Sequence, residues 1–154
     1  SVRVRAVGAG MAAVRDRFSG LDLVDWSEAT EIGEVQHMDI GIMPLIDRPF
    51  ERGKSGYKLI QYMACGLPVV ASPVGVNREM VADGGNGILA DDAEEWRDAL
   101  VRLIGDPELR ARMGKHPRQR AEADYSLASQ APRLIELLGL VARGHSSGGA
   151  RGPS

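Results

Sequence analysis

The sequence predicts an α/β fold, a doubly wound, mostly parallel sheet of Rossmann type, and three observations predict it. Four to five short apolar runs alternate with amphipathic helical patterns along the chain. The two central runs, Ile40 to Leu45 and Pro68 to Ala71, lack the polar alternation of a half-exposed strand, as parallel strands covered on both faces should. Between them, within Asp39 to Asn77, a Gly/Ser/Lys loop joins the end of one strand to the start of a helix. Ligands of open α/β sheets bind at such carboxyl ends.

Composition bounds the function classes. At 154 residues, with 44% hydrophobic and 26% charged, the chain is sized for one compact globular domain. A formal net charge of −2 supplies no basic excess to neutralise nucleic-acid phosphates, so no nucleic-acid partner is expected. No apolar run approaches the ~20 residues of a membrane span, and no signal-peptide pattern opens the chain. A cytoplasmic location is the expectation. Cys65 is the single cysteine, which precludes an internal disulfide and reads as packing. His37, His116 and His145 lack ligand spacing, and no metal site is expected.

In order, Val2 to Val7 reads as a strand ending in the turn Gly8-Ala9-Gly10, and Met11 to Phe18 as a short helix. Leu21 to Val24 is a second strand. Ser27 caps a helix from Glu28 to about Met38, with Glu28 and Glu31 in the first turn, where the dipole favours acids. After the Ile40 strand and the loop, Tyr57 to Ala64 forms a helix whose buried stripe is Leu59, Ile60, Met63 and Ala64. Gly66 caps it and Pro68 forbids continuation.

Ser72 to Asn77 is a second strand-to-helix loop, followed by a short helix with Arg78, Glu79 and Val81. Asp83 to Gly87 is a turn cluster and Ile88 to Ala90 a last strand. Asp91 or Asp92 caps a helix carrying Trp96, Leu100, Leu103 and Ile104. A further helix starts at Pro107 and shows a basic face, Arg110, Arg112, Lys115, Arg118 and Arg120, that reads as solvated. Tyr125-Ser126-Leu127 starts the final helix, which runs to Gly144. The domain is therefore drawn at 1–143, with 144–154 (GHSSGGARGPS) expected to be a disordered tail.

The loop Arg52-Gly53-Lys54-Ser55-Gly56 offers anion-binding chemistry. A helix start carries about half a positive elementary charge, and the glycines admit close backbone approach. Arg52, Lys54 and Lys58 add cations. A phosphate or diphosphate fits these groups. Trp26, just past a strand's carboxyl end, could line a base pocket or cover the sheet edge.

The succession Val7-Gly8-Ala9-Gly10, then Asp39 to Leu45 (DIGIMPL), then Gly53 to Ser72 (GKSGYKLIQYMACGLPVVAS) resembles the C-terminal donor domain of a group 1 glycosyltransferase of the GT-B architecture. The resemblance covers Val2 to about Leu140. It implies a metal-independent hexosyltransferase whose donor is a nucleotide-diphosphate sugar, with no further cofactor. It implies that Arg52 to Lys58, Tyr57 included, meets the donor sugar and diphosphate. Gln61 then meets the ribose, and Trp26 and Ser27 the nucleobase. It implies retention of anomeric configuration, assigns no catalytic residue, and places an acceptor domain ahead of this one. The isolated chain is expected to turn over little, and any membrane association to come through that other domain.

Two positions depart from the family pattern of two glutamates separated by seven residues. Gln61 stands at the second and Gly53 at the first, with Glu51 two residues away. Gln keeps an acceptor oxygen but loses charge. Two other readings stay open: a sugar-nucleotide epimerase of the same architecture, with Glu51 and Glu79 as candidate acid/base groups, and a non-catalytic nucleotide-binding module.

Overall fold

The computed structural model describes residues 2–8, 20–82 and 84–146. The helix expected over Met11 to Phe18, the turn residues Ala9 and Gly10, Asp83 and residues 147–154 lie outside them. The described elements are β1 Val4–Val7, β2 Leu21–Val24, α1 Glu28–Gln36, β3 Gly41–Met43, α2 Pro49–Arg52, α3 Tyr57–Ala64, β4 Val69–Ala71, α4 Asn77–Met80, β5 Gly87–Leu89, α5 Ala93–Gly105 and α6 Pro107–Arg120. A π-helical turn, Ala121–Tyr125, then leads into α7, Leu127–Ser146.

Among the described residues every strand pair is parallel, in keeping with the mostly parallel sheet expected, but the ladder falls into two blocks. β1 pairs with β2 from Val4↔Leu21 to Val7↔Val24, and β3, β4 and β5 pair from Gly41↔Val69 and Val69↔Gly87. β4 is the centre. Val69, Val70 and Ala71 are each fully buried, and their alternating side chains divide the interior in two. Val69 and Ala71 pack with Leu59, Met63, Met80 and Val81 on one face. Val70 packs with Ala99, Leu103, Leu109 and Met113 of α5 and α6 on the other.

β3 departs from the expected double coverage. Its Ile42 is 37% exposed and borders a cavity that Val4, Leu100 and Ile104 also line. Ala64 also departs, being exposed while Leu59 and Met63 are buried. Five residues of helix carry it ~140° round from Leu59, off the stripe.

The basic face of α6 is not simply solvated. Arg110 donates to the carbonyls of Leu103 (2.7 Å) and Ile104 (3.1 Å) at the end of α5, and Arg120 to those of Glu79 (3.0 Å) and Met80 (3.2 Å). Both guanidiniums satisfy carbonyls that helix geometry leaves open. α6 also passes so close to the turn after α3 that a Cβ at Gly114 would collide with the Gly66 carbonyl. Beyond the π turn, α7 leaves Leu134, Ile135, Leu137 and Leu138 more than half exposed. It continues to Ser146, past the boundary expected at Gly144.

Leu103 is fully buried and Val101, on the same helix, is 64% exposed. Leu103→Ala is expected to lower the urea unfolding free energy by about 2–5 kcal/mol, and Val101→Ala to change it by less than about 0.5 kcal/mol. Similar values for the two variants would overturn the assignment of α5's inner face.

Candidate functional site

Two strand-to-helix loops meet at the carboxyl ends of β3 and β4. Ser72 joins them: its Oγ accepts from the Leu45 N–H at 3.0 Å, and its carbonyl accepts from Asn77 Nδ2 at 2.9 Å. A Cβ at Gly75 would stand 2.5 Å from the Arg52 carbonyl, so the second loop presses directly on the end of α2. Asn77 is 1% exposed and its Oδ1 has no partner, nor has the buried Glu51 Oε2.

The first loop holds an element that the sequence reading missed. Pro49–Arg52 is one helical turn with Pro49 at its start, ended by Gly53. Its signal was present in Pro49 followed by Glu51, a favoured first-turn pairing. Arg52 to Ser55 are exposed, whereas Gly56 is buried. Gly56 adopts φ +70° as the N-cap of α3, and a Cβ there would strike the Met80 sulfur. No side chain caps α3; the Leu59 N–H closes on the Gly56 carbonyl at 2.9 Å, and the N–H groups of Tyr57 and Lys58 have no side-chain cap among the described residues. Gly53 is different: at φ −83° an added Cβ meets nothing nearer than the Phe50 carbonyl at 3.6 Å. The backbone therefore does not require the departure from Glu at that position.

The three candidate cations differ in their engagement. Arg52 pairs with Asp47, Nη2 to Oδ2 at 3.1 Å. Lys58 donates to Glu31 Oε1 at 2.7 Å and to Gln61 Oε1 at 2.9 Å. Lys54 lies 5.6 Å over the Phe50 ring and has no acidic partner among the described residues.

Glu31 is the residue that draws the remaining candidates together. Sequence reading gave it only a dipole role, and its distance from Lys58 along the chain hid the rest. Its side chain is 15% exposed. Lys58 first, then Gln61, and more weakly Trp26, hold its carboxyl below the ordinary value against the opposing effect of burial. Gln61 in turn donates to the Tyr57 hydroxyl at 3.3 Å. Trp26, 54% exposed, stands against Gly8, where a Cβ would come within 2.7 Å of the Trp26 Cβ. Ser27 is occupied differently: its Oγ accepts from the Thr30 N–H at 3.3 Å and caps α1. Trp26, Glu31, Lys58 and Gln61 thus form one cluster beside the uncapped start of α3.

Cys65 lies apart from this cluster, and burial pushes its thiol up, away from the reactive thiolate. Among the described residues no three His, Cys, Asp or Glu side chains assemble as a metal cradle would.

Because Glu31 ionises more readily in the folded chain than its ordinary 4.5, its contribution to stability is fully present above that pH. It fades as pH falls through the lower folded value. Glu31→Gln is therefore expected to melt below the parent at about pH 7 and together with it at about pH 2. Parallel melting temperatures across the range would remove the Glu31–Lys58 pair as a native interaction.

Comparison with known proteins places the family and the fold. The chain is 36% identical over 104 residues to D-inositol 3-phosphate glycosyltransferase of Corynebacterium urealyticum, covering 66% of this chain and 23% of that protein. It is 32% identical over 78 residues to spore coat protein SA of Bacillus subtilis, covering 49% of this chain and 21% of the relative. It thus spans less than a quarter of the length of these curated relatives. Its fold is shared with a sucrose-phosphate synthase of Thermosynechococcus elongatus (TM-score 0.73, 24% identity, 88% of this chain and 33% of that one). HepE of Anabaena, solved with UDP and glucose, is equally similar in fold (TM-score 0.73, 19% identity, 89% and 40%). The model of the glycosyl transferases group 1 family matches residues 1–106, and the chain belongs to that family.

Proposed function

We propose that this domain binds a nucleoside-diphosphate sugar and serves as the donor half of a glycosyltransferase. The observation that carries the proposal is the cluster of Trp26, Glu31, Lys58 and Gln61 beside the uncapped start of α3. The N–H groups of that helix and Lys54, the cation without an acidic partner, receive the diphosphate. Ser55, Tyr57 and the Gly53–Gly56 backbone line its path, and Arg52 stands at the rim. Negative charge builds on the diphosphate as the glycosidic bond breaks, and fixed donors stabilise it there. No metal or further cofactor enters this reading.

Glu31 supplies the carboxylate that Gln61 lacks. Within the cluster it is the acid able to accept from a ribose hydroxyl, while Gln61 fixes Lys58 and keeps an amide beside it. Trp26 offers its exposed ring to the base, and Ser27, being a cap, contributes to the entry of α1. Glu51, with its unpartnered buried Oε2, is the acid we assign near the sugar in place of one at position 53. Transfer itself takes place in a longer protein that adds an acceptor domain.

Titration calorimetry with nucleoside diphosphates and their sugar conjugates tests the reading. Saturable binding that strengthens with one sugar is expected, and indifference to the sugar would favour a plain nucleotide-binding module. Epimerised donor without acceptor in product analysis would favour the epimerase.

Two substitutions separate the roles. Lys54→Ala is expected to weaken diphosphate binding by about 1.5–3 kcal/mol, the range for hydrogen bonds to charged groups. Lys58→Ala costs less, because Glu31 already neutralises it; the reverse order in calorimetry would reassign the cations. Glu31→Gln is expected to weaken nucleotide binding, and Gln61→Glu added to it to restore binding. Failure of the double variant to recover, with its fold intact, would remove the carboxylate from the ribose.

A further inference from the structure

Behind the candidate site, one side chain reaches from the far end of α6 to the short helix that lies under the donor loop. That helix, α4, has only the four residues Asn77–Met80. So short a helix does not hold its geometry alone, and its last carbonyls have no partner within it. Donors from elsewhere supply them. Arg120, 40 positions beyond Met80, donates from Nη2 to the Glu79 carbonyl at 3.0 Å and from Nη1 to the Met80 carbonyl at 3.2 Å. Asn86 Nδ2 donates to the same Met80 carbonyl at 2.8 Å. A guanidinium fork meets two neighbouring carbonyls at once, which an ammonium does not reproduce. Asp124 steadies the fork from its other side, with Oδ2 3.5 Å from Nε.

The place of Arg120 in its own helix fits this role. α6 ends there and the π turn Ala121–Tyr125 begins at the next residue. Single π turns inside helices recur at functional sites. This one seats Ala121 in the core with Met80 and Leu59, packs Tyr125 against the same cluster, and leaves Arg120 at the end of α4.

What α4 touches on its opposite side gives the clamp its reach. The Met80 thioether lies against the Gly56 backbone, where an added Cβ would collide with the sulfur and come within 3.1 Å of Val76 Cγ2. Gly56 is buried and is the N-cap of α3. A shift of α4 therefore passes to Gly56, because close-packed interiors transmit displacement. The Tyr57 and Lys58 N–H groups follow Gly56 directly in the chain, and their direction depends on it.

We propose that Arg120 is a positioning residue for the donor site. It clamps the end of α4 and, through Met80 set against Gly56, fixes the direction of the α3 N–H groups that receive the diphosphate. The consequence for diphosphate binding rests on the donor reading above; the fixing of Gly56 does not.

Amide and methionine-methyl NMR spectra of the whole chain test the clamp, and calorimetry with UDP, ADP, GDP and CDP tests its consequence. Arg120→Met keeps the apolar stem and removes the fork. It is expected to shift the Tyr57 and Lys58 amide signals and the Met80 methyl signal. It is also expected to weaken the tightest of these diphosphates about tenfold, since misplaced donors lose much of their effect. Leu103→Val loosens the opposite face of β4 and is expected to leave those signals in place and the affinity within about twofold. Arg120→Lys, which keeps the charge and one donor but not the fork, is expected to give the Arg120→Met changes at smaller size. It carries the test by itself if Arg120→Met does not fold. Unmoved signals would overturn the proposal, and so would a loss of affinity no larger than that of Leu103→Val. A parent chain that binds none of the diphosphates removes the donor reading, while the amide signals still decide whether Arg120 holds Gly56.

Discussion

Burial of β4 on both faces is the constraint on which the rest of the molecule depends. Three residues, Val69, Val70 and Ala71, are sealed from water, and each face of the strand is sealed by a different set of helices. α3 packs on one face and α5 with α6 on the other. Fixing α3 in this way aims its uncapped start at the carboxyl ends of the strands. The position of the candidate site therefore follows from packing in the core, and the loop residues inherit it.

Close backbone approach adds a second level of fixation. Gly56 sits where a side chain would collide with Met80, and Gly75 where one would press on the Arg52 carbonyl. The two loops are thereby wedged together, with Ser72 hydrogen-bonded into both. Glu31 then ties α1 to α3 through Lys58, which brings a strand-end tryptophan and a helix glutamine into one neighbourhood. Elements distant in sequence become a site through one carboxylate.

Much of this was legible in the residues. The apolar runs, the Gly/Ser/Lys loop and the Ser27 and Asp92 caps give local signals of strand, turn and helix start, and the structure has each of them. Long-range partnerships were not legible. No periodicity says that Arg110 and Arg120 will cap helix ends elsewhere, or that Glu31 will find Lys58. The one-turn α2 was too short to carry a periodic pattern. Ala64 failed for a geometric reason, since a small apolar residue was assigned to a stripe that its angle excludes.

The arginines of α6 carry one more implication. The hydrogen bonds of Arg110 and Arg120 end on main-chain carbonyls, which take up no proton in mild acid, whereas those of Arg118 and Lys58 end on carboxylates. Acidification therefore strikes the molecule unevenly. The Arg110 hydrogen bonds at the corner where α5 turns into α6 persist, while the Glu31–Lys58 contact between α1 and α3 is lost. Lowering the pH therefore loosens the strand-end rim at Glu31 while the Arg110 and Arg120 contacts to main-chain carbonyls stay in place.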